Sequence, residues 1–386
     1  MTAGLSLLAG VRVVDFTQAL SGPYCTLMLA DLGAEVTKVE NPGRGDDSRH
    51  WGPPHVGEDA AYFMAVNRNK RSVTLDLKVP DDLATARTLI AGADVMVENW
   101  RPGTADRLGL GAASLRADHP GLIVCSISGF GRTGSPRSGY DQIVQGTSGV
   151  MSLTGAPGEP TKWGVPVGDI AAGMFAAYAI AAALYERRET GRGRTIDIAM
   201  QDCLVSMLTH HGARYLNGGP VPVTAHNGHP TIAPYGLFHT ADGHLNICVG
   251  NDSQFQRFCR ALDCQHLAAD PRFGTNAERL AHRAQLLAEI DAVLSRHTCD
   301  AVLEALDAVG VPAGRVADVA EVLDDPATNE RGMIIEFERD DCGSARVLNT
   351  PCAFDGVRPA LRLAPPRLGE HNSILDREGH RRESLV

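Results

Sequence analysis

Residues 11–40 read VRVVDFTQALSGPYCTLMLADLGAEVTKVE, a stretch that predicts a strand, a helix and a second strand. Residues 11–16 form a short run rich in β-branched side chains, which is typical of a buried strand. Pro23 suits the first turn of a helix, where its missing N–H would have no helical partner, and Gly33 is typical of a helix C-terminus. Residues 35–40 then form the next strand. A crossover this short indicates a parallel pair of strands with a right-handed connection.

The same alternation continues outward from this unit. Further strands are predicted at residues 72–77, 94–98, 121–128 and 195–198, and further helices at residues 80–91, 170–187 and 201–216. Alternating elements of this kind predict an α/β fold with a doubly wound parallel sheet. The longest apolar run, residues 171–184, is shorter than the roughly 20 residues that span a bilayer, so we expect a buried core helix and no membrane segment.

The composition of the chain changes near Gly218. Residues 218–234 are rich in glycine and proline, which predicts a linker or an active-site loop. A hairpin follows around an Asp-Gly pair, and then helices at residues 252–262, 277–295 and 300–306. We therefore predict three segments: residues 1–217 as the first part of a large domain, 218–312 as a linker and a smaller α+β domain, and 313–386 as a second linker and a return to the large domain.

Composition excludes several classes of partner. A net charge of −10 over 386 residues argues against a nucleic-acid or anionic-membrane surface, because both need a dense positive patch. The N-terminus lacks the basic region of a signal peptide. Nine cysteines without CxxC spacing predict reduced thiols in a cytoplasmic protein. Four histidines match no zinc-binding spacing, so no metal site is predicted there: His210, His211, His226 and His229.

Residues 129–134 match the pattern GxGxxG after a predicted strand. In dinucleotide-binding folds this pattern opens a helix whose N-terminus holds the pyrophosphate. Here it runs into Ser135 and Pro136, which do not begin such a helix cleanly. A nicotinamide or flavin site is therefore not expected.

Asp169 follows Gly168 and directly precedes the long apolar helix. This is the position of an N-cap residue, whose side chain accepts backbone N–H bonds. The same position suits a reactive carboxylate, because the helix dipole favours the anion and nearby N–H groups stabilise developing negative charge. The pattern does not decide between a cap and a nucleophile.

Nine segments, in order along nearly the whole chain, carry a resemblance to a known family. They are VVDFTQALSGPYCTLMLADLGAEVTKVENPGRGDDSR, NRNKRSVTLDLK, ADVMVENWRPG, GYDQIVQGTSGVMSLTG, GVPVGDIAAGMFAAYAI, TGRGRTIDIAMQD, GNDSQFQRFC, GVPAGRV and LGEH. Together they resemble the family III CoA-transferases, which include the formyl-CoA:oxalate, carnitine, succinate and other dicarboxylate CoA-transferases.

The resemblance implies roles for individual residues. Asp169 matches the catalytic aspartate, and Tyr140 matches an active-site tyrosine. The other matching positions are Leu75, Lys78, Asn99 and Arg107, together with Tyr140, as contacts of CoA, and Gln18, Leu20 and Asp141 in the substrate pocket. Asn41 stands where some members place a CoA-binding arginine, for which Arg44 or Arg49 is expected to substitute.

The resemblance also implies an architecture and a chemistry. The family has a large Rossmann-like domain built from both chain ends, a small domain between them, and two subunits that interlock as a homodimer. A CoA thioester is the substrate, and no permanently bound cofactor is expected. The glycine-rich flap of formyl-CoA transferase is not reproduced, so gating by residues 226–230, HNGHP, is a hypothesis.

The implied mechanism is covalent catalysis by an aspartate. The Asp169 carboxylate attacks the donor thioester to form a mixed anhydride, and CoA thiolate then forms an aspartyl-CoA thioester. With an ordinary pKa of about 3.9, an aspartate is ionised at neutral pH and needs no base. The segments DFTQALSGP, PGRGDDSRHWGPP and GNDSQFQRFC are most similar to members that use dicarboxylates such as succinate.

Two alternative functions remain open. A 2-methylacyl-CoA racemase of the same fold would use the matching aspartate together with a histidine at the position of Tyr140. A tyrosine with an ordinary pKa of about 10 is a poor base at neutral pH, which disfavours racemisation. The second alternative is a non-catalytic CoA-binding protein, against which the intact Asp169 argues.

Overall fold

The computed structural model describes residues 6–133 and 137–378. Its strands are β1 (Arg12–Asp15), β2 (Glu35–Glu40), β3 (His55–Val56), β4 (Asp59–Ala60), β5 (Lys70–Thr74), β6 (Val95–Glu98), β7 (Ile123–Ser128), β8 (Thr195–Ala199), β9 (Tyr235–His239), β10 (His244–Cys248), β11 (Ala313–Arg315), β12 (Ile334–Arg339) and β13 (Gly343–Leu348).

The helices are α1 (Ser21–Asp31), α2 (Ala61–Val66), α3 (Pro80–Ala91), α4 (Thr104–Arg107), α5 (Ala112–Asp118), α6 (Asp141–Thr147), α7 (Val167–Thr190), α8 (Met200–Ser206), α9 (Thr209–Leu216), α10 (Asp252–Ala261), α11 (Gln265–Ala269), α12 (Asn276–Ala281), α13 (Arg283–Leu294), α14 (Cys299–Asp307), α15 (Val319–Asp324), α16 (Pro326–Glu330) and α17 (Ser373–Glu378). Short 3-10 helices lie at Asp47–His50, Val150–Leu153 and Pro271–Phe273.

A six-stranded parallel sheet in the order β5-β2-β1-β6-β7-β8 forms the centre of the first half of the chain. The predicted parallel pair of β1 and β2 is confirmed, with Val13 opposite Val36. From β1 the chain builds outward first through β2 and β5, and then in the other direction through β6, β7 and β8. The loops after β1 and β6 therefore diverge at the carboxyl edge, where ligands of doubly wound sheets bind.

Helices cover both faces of the sheet, so both faces are buried. Adjacent residues of a strand point to opposite faces. Val13 belongs to a core layer with α1 and α7, whereas its neighbour Val14 belongs to the opposite layer with α3 and α5. Within the first layer α1 packs extensively on α7. This packing brings the N-terminal ends of both helices to the carboxyl edge of the sheet.

The chain divides into two compact units. The first contains the residues up to Met151, Lys162–Val221 and the segment from Pro326 onward, and the second contains Ser152–Thr161 and Pro222–Asp325. The second unit has a three-stranded antiparallel sheet in the order β11-β10-β9. Its predicted hairpin is confirmed, since His244 pairs with His239. Phe255, Phe258 and Ile290 are fully buried in the core of this unit.

Several predicted bounds were wrong. The strand predicted at residues 72–77 is β5, which begins two residues earlier and ends at Thr74. The helix predicted at residues 201–216 is divided into α8 and α9, because the backbone of Thr209 has a φ of 38°, which a continuous α-helix does not allow. The helix predicted at residues 277–295 is likewise interrupted at His282.

Helix α7 is longer than its apolar run suggested. It has 24 residues, three more at each end than the predicted helix at residues 170–187. By length and composition it is long and apolar enough to cross a membrane, so the argument from the length of the apolar run does not hold. Its buried residues, among them Ala172, Ala176 and Ile180, lie in the core layer shared with α1. That packing is the arrangement expected of a core helix.

Candidate active site

Asp169 lies in the first turn of α7. The helix begins at Val167, with Pro166 as its N-cap residue, so Asp169 is the third helical residue and the predicted N-cap position was wrong. A proline has no side-chain group that caps a helix. The N–H of Gly168 instead donates to the carboxylate of Asp141, at 2.8 Å. The side chain of Asp169 is therefore not needed as a cap.

Ser21 is a polar neighbour of Asp169. It is the first residue of α1, and its hydroxyl and backbone N–H lie near enough to the Asp169 carboxylate to lower the pKa of that group. The first N–H groups of a helix have no partner within the helix and carry its positive end. The Asp169 carboxylate thus lies at the N-terminal ends of two helices, which is a favourable place for negative charge.

Gly173 permits this close approach of α1 and α7. It lies one turn beyond Asp169, and a Cβ atom there would be 2.7 Å from the carbonyl oxygen of Ser21 and 3.2 Å from the backbone N of Cys25. Real Cβ atoms essentially never come as close as 2.7 Å to a backbone oxygen. The absence of a side chain at Gly173 therefore sets the distance between the two helix ends at the site.

The electrostatic environment of Asp169 differs from the sequence-based expectation. Burial, and next the charge of Asp141, raise the pKa of Asp169 from 3.8 to about 7, although the hydrogen bonds from Ser21 lower it. The expectation of an ordinary, fully ionised aspartate was therefore wrong. Near neutral pH the carboxyl group is divided between its protonated and ionised forms.

Asp141 is held rigidly beside Asp169. It is the first residue of α6, where its Oδ1 accepts the N–H of Gly168 and its Oδ2 accepts the side-chain amide of Gln145 at 2.7 Å. Both oxygens thus have donors supplied by the protein. A negative charge is kept close to the carboxyl group of Asp169.

A cavity of about 510 Å³ opens onto the Asp169 side chain. It brings together five of the predicted site residues, namely Gln18, Asn99, Tyr140, Asp141 and Asp169. They come from loops or helix starts that follow different strands of the sheet. The carboxyl edge of the parallel sheet is what assembles them.

Two aromatic side chains contribute to the wall of this cavity. Trp51 and Tyr62 pack edge to face, with ring centroids 5.1 Å apart. Burial, followed by the charges of Asp169 and Asp141, raises the pKa of Tyr62 to about 12. Its phenol is therefore neutral over the physiological range and available as a hydrogen-bond donor.

Asn99 joins the two loops that diverge at the centre of the sheet. Its Oδ1 accepts the N–H of Gln18 at 2.9 Å, and its Nδ2 donates to the carbonyl oxygen of Gln18 at 2.8 Å. The residue predicted as a CoA contact therefore also holds the loop after β1. Both residues line the cavity.

A buried ion pair supports the same loop from beneath. Lys38 donates to the carbonyl oxygen of Thr17 at 2.7 Å and pairs with Asp46 at 2.8 Å, and both charged side chains are fully buried. Asp46 also accepts the N–H of Ala19 at 3.0 Å. Ala19 has a φ of 66°, a conformation that costs energy in a residue with a Cβ atom. The Lys38–Asp46 pair therefore fixes the turn that leads to Ser21.

Four predicted residues are outside the described lining of the cavity. Leu20 is buried in an apolar cluster with Leu27 and Val66, and Leu75 is buried in the core layer of α3 and α5. Lys78 and Arg107 are exposed at the surface. Their predicted contacts with CoA or the acyl group remain predictions.

Arg49 does not have the role that was expected of it. Its guanidinium donates to Glu40 at 2.7 Å and to Asp59 at 2.6 Å, and also to the carbonyl oxygen of Pro366. The side chain is buried, with its charge paired inside the first unit. Arg49 is thus a structural residue and unsuited to replace a CoA-binding arginine. Arg44 is exposed at the surface, where it pairs with Asp47.

The GxGxxG pattern does not open a helix in the part that the structure describes. Residues 129–133 form a loop after β7, and the next helix begins at Asp141. Gly134 lies outside the described residues. Within the loop, a Cβ on Gly129 would be 2.4 Å from the Cα of Gly139, so these two glycines close the base of the loop.

Several residues of the site were not predicted from the sequence. They include Ser21, Trp51, Tyr62 and Gln145. The serine could have been found from its position at a helix start after the first strand. Trp51 and Tyr62 reach the site through long-range contacts that no local pattern reveals, whereas Gln145 lies one helical turn from Asp141.

Several known proteins are similar to this chain in sequence and in overall structure. The sequence model of CoA-transferase family III matches residues 8–372. The chain is 41% identical over 375 residues to the succinate–glutarate CoA-transferase of Agrobacterium fabrum, covering 95% of this chain and 94% of that one. It is 36% identical over 374 residues to the human succinyl-CoA:glutarate CoA-transferase, covering 96% and 86%. A crystal structure of a CAIB/BAIF family protein from Brucella suis is similar with a TM-score of 0.86 at 41% identity, covering 96% and 98%.

Proposed function

This chain belongs to CoA-transferase family III, and on that premise we propose that it transfers CoA from a dicarboxylyl-CoA such as succinyl-CoA to a free dicarboxylic acid. Asp169 is the covalent carrier in this proposal. The observation that carries it is the position of the Asp169 carboxylate, at two helix N-terminal ends and open to the cavity. The names of the relatives, which are succinate and glutarate CoA-transferases, support the substrate class.

The first half of the reaction loads CoA onto the protein. An Asp169 oxygen attacks the thioester carbonyl of the donor, the C–S bond breaks, and CoA leaves as the thiolate. The thiolate then attacks the Asp169 carbonyl of the mixed anhydride, which releases the donor acid and leaves an aspartyl-CoA thioester. The donors on Ser21 stabilise negative charge on the oxygens around the aspartyl carbon.

The second half repeats these steps with the acceptor. The acceptor carboxylate attacks the aspartyl thioester, CoA thiolate leaves, and a new mixed anhydride forms. The thiolate attacks the acceptor's own carbonyl, which gives the product thioester and frees the Asp169 carboxylate. Each step exchanges one acyl bond for another, so the site chiefly has to hold the groups in line and keep out water.

The raised pKa of Asp169 favours this chemistry. Burial and the charge of Asp141 disfavour the ionised carboxylate relative to any uncharged state. The anhydride and the aspartyl thioester are both uncharged at this position. The same two causes that raise the pKa therefore favour acylation of Asp169.

We expect succinyl-CoA to support transfer to glutarate and other dicarboxylates at far higher kcat/KM than to monocarboxylates of similar length. The measurement is a screen of succinyl-CoA, acetyl-CoA and formyl-CoA against a panel of free acids, with product thioesters identified by mass spectrometry. Transfer confined to monocarboxylic acids would contradict the proposed substrate class.

Incubation with 2-methylacyl-CoA and a free dicarboxylic acid in D₂O separates the transferase from a racemase. A racemase needs an acid–base group on each side of the α-carbon. Asp169 would be one of them, and the residue at the position of the second is Tyr140, whose phenol is a poor base. We therefore expect no deuterium at the α-position of 2-methylacyl-CoA while CoA transfer proceeds. Deuterium exchange at a rate comparable to transfer, abolished in Asp169→Asn, would establish racemisation instead.

The working form in this proposal is an interlocked homodimer. Large apolar or aromatic side chains are exposed on α7 and α9, which suits a surface covered by another subunit. They include Met174 (50% exposed), Tyr178 (73%), Tyr185 (70%), Tyr215 (55%) and Leu216 (81%). Light scattering is expected to give twice the 41.1 kDa mass of one chain, unchanged on dilution from micromolar to nanomolar concentration. A monomer at micromolar concentration would contradict the interlocked arrangement.

The proposed location is the cytoplasm. All nine cysteines are free thiols, and disulfides are characteristic of oxidising compartments.

A further inference from the structure

Ser21 lies where the start of α1 approaches the first turns of α7. A Cβ atom on Gly173 would be 2.7 Å from the carbonyl oxygen of Ser21, so the backbone of Ser21 lies directly against this face of α7. Asp169 is on the same face one turn earlier, because residues four apart on a helix are neighbours. Ser21 and Asp169 both line the cavity, and Ser21 is only 4% exposed. The hydroxyl of Ser21 is therefore confined beside the Asp169 carboxylate.

This hydroxyl acts on the charge of Asp169. Burial and the charge of Asp141 raise the pKa of Asp169, and the hydroxyl and backbone N–H of Ser21 lower it. An ionised carboxylate only accepts hydrogen bonds, so toward it the serine hydroxyl must be the donor. A donor in this position favours the ionised form of the carboxyl group.

Acylation of Asp169 weakens the interaction with this donor. The free carboxylate carries a full negative charge, whereas the aspartyl carbonyl of the mixed anhydride or of the aspartyl-CoA thioester is neutral. A hydrogen bond to a charged acceptor is roughly twice as strong as one between neutral groups. The hydroxyl therefore stabilises the free carboxylate more than either acylated form.

We propose that Ser21 is a catalytic residue whose hydroxyl sets the balance between the free and the acylated forms of Asp169, because it stabilises the free carboxylate that must be regenerated in every cycle. The proposal rests on the covalent role of Asp169 proposed above. Ser21 thereby opposes burial and the charge of Asp141, which favour acylation. The balance matters in this reaction because CoA has to be both loaded onto Asp169 and released from it.

The test is the equilibrium between succinyl-CoA and the protein in Ser21→Ala, which lacks the hydroxyl but keeps the backbone N–H. The protein is mixed with succinyl-CoA and succinate at a fixed ratio, and mass spectrometry of the intact chain gives the ratio of CoA-bearing to free protein. Loss of a hydrogen bond to a charged group changes an equilibrium constant by about tenfold or more. We therefore expect about tenfold more thioester in the variant at about pH 9, where Asp169 is ionised in both proteins.

The pH dependence separates this effect from a general disturbance of the structure. The pKa of Asp169 is about 7 in the native protein, and loss of the hydroxyl is expected to raise it by about one pH unit for a tenfold effect. At about pH 5 Asp169 is protonated and uncharged in both proteins, so the difference in thioester is expected to vanish. The acid limb of kcat/KM, which follows the ionised Asp169, is expected to move to higher pH. The other titratable or charged groups around the cavity are the same in both proteins, namely Asp47, Tyr62, Arg101, Arg137, Tyr140 and Asp141.

Two control variants isolate the hydroxyl. Ser21→Thr retains it and is expected to restore the native amount of thioester. Ser373→Ala removes an exposed hydroxyl from the first residue of another helix, α17, and is expected to change nothing. A folded Ser21→Ala protein with the native amount of thioester at about pH 9 would overturn the proposal, as would an increase that is equally large at about pH 5.

An infrared titration tests the same interaction without turnover. The native protein is expected to show a carboxylic-acid band, absent in Asp169→Asn, that titrates at about pH 7. In Ser21→Ala, or in Ser21→Gly if the alanine variant does not fold, the midpoint is expected to lie about one pH unit higher. An unmoved midpoint would overturn the proposal. Failure of the proposed function is distinct, because the native protein itself would then carry no CoA on Asp169, and that result would overturn both proposals.

Discussion

Replacing Asp169 with alanine is expected to lower the rate of CoA transfer by about 10³-fold or more, the scale for loss of a covalent nucleophile. The methyl group cannot form an anhydride or a thioester. Asp141 is nearby, but both of its oxygens are occupied by Gly168 and Gln145. The measurement is steady-state transfer from succinyl-CoA, together with trapping of the acylated protein by hydroxylamine and mass spectrometry of its peptides.

A matched control for this substitution is Asp202→Ala. Asp202 also lies in the first turn of a helix, α8, but is exposed and outside the cavity lining. It is expected to retain nearly native activity and to form the hydroxamate on the peptide that contains Asp169. A modified peptide without Asp169, or undiminished turnover in Asp169→Ala, would refute the covalent role.

Replacing Lys38 with methionine is expected to reduce the free energy of unfolding by about 3–5 kcal/mol, because it leaves an unpaired buried charge on Asp46. Both side chains of the pair are fully buried. The substitution also removes the hydrogen bond to Thr17, so the turn that presents Ser21 is expected to loosen and activity to fall with stability. Urea unfolding followed by circular dichroism measures the change.

Two comparisons test the cause of that loss. Adding Asp46→Asn to Lys38→Met removes the unpaired charge and is expected to recover part of the stability, so the two effects are not additive. Arg315→Met breaks the exposed pair with Asp300 and is expected to cost less than about 1 kcal/mol. A Lys38→Met protein as stable as the native one would show that the pair does not support the loop.

The parallel sheet could be predicted from the sequence because its signals are local. The run at residues 11–16 became β1, and residues 35–40 became β2 with the predicted bounds. Apolar runs of this length, separated by a helix with Pro23 in its first turn, leave few alternatives. Predictions failed where a break depends on a single backbone angle, as at Thr209 between α8 and α9.

The site itself was only partly predictable. Asp169, Asp141 and Tyr140 were found through the resemblance of their segments to a family, and the structure places them around one cavity. The same reasoning offered Arg44 or Arg49 as a replacement for a CoA-binding arginine, whereas Arg49 is buried against Glu40 and Asp59. A charged residue in a loop has the same appearance in a sequence whether it faces solvent or two buried carboxylates.

By itself the sequence determined the order of most strands and helices and singled out Asp169 as the carboxylate proposed to react. Only the tertiary structure decided how that carboxylate behaves. Its pKa depends on burial and on Asp141, whose partner Gly168 is 27 positions away along the chain. The loop beside it is held by Asn99, which is 81 positions from Gln18. Local patterns reflect propensity and periodicity, whereas solvation and charge depend on which distant residues folding brings together.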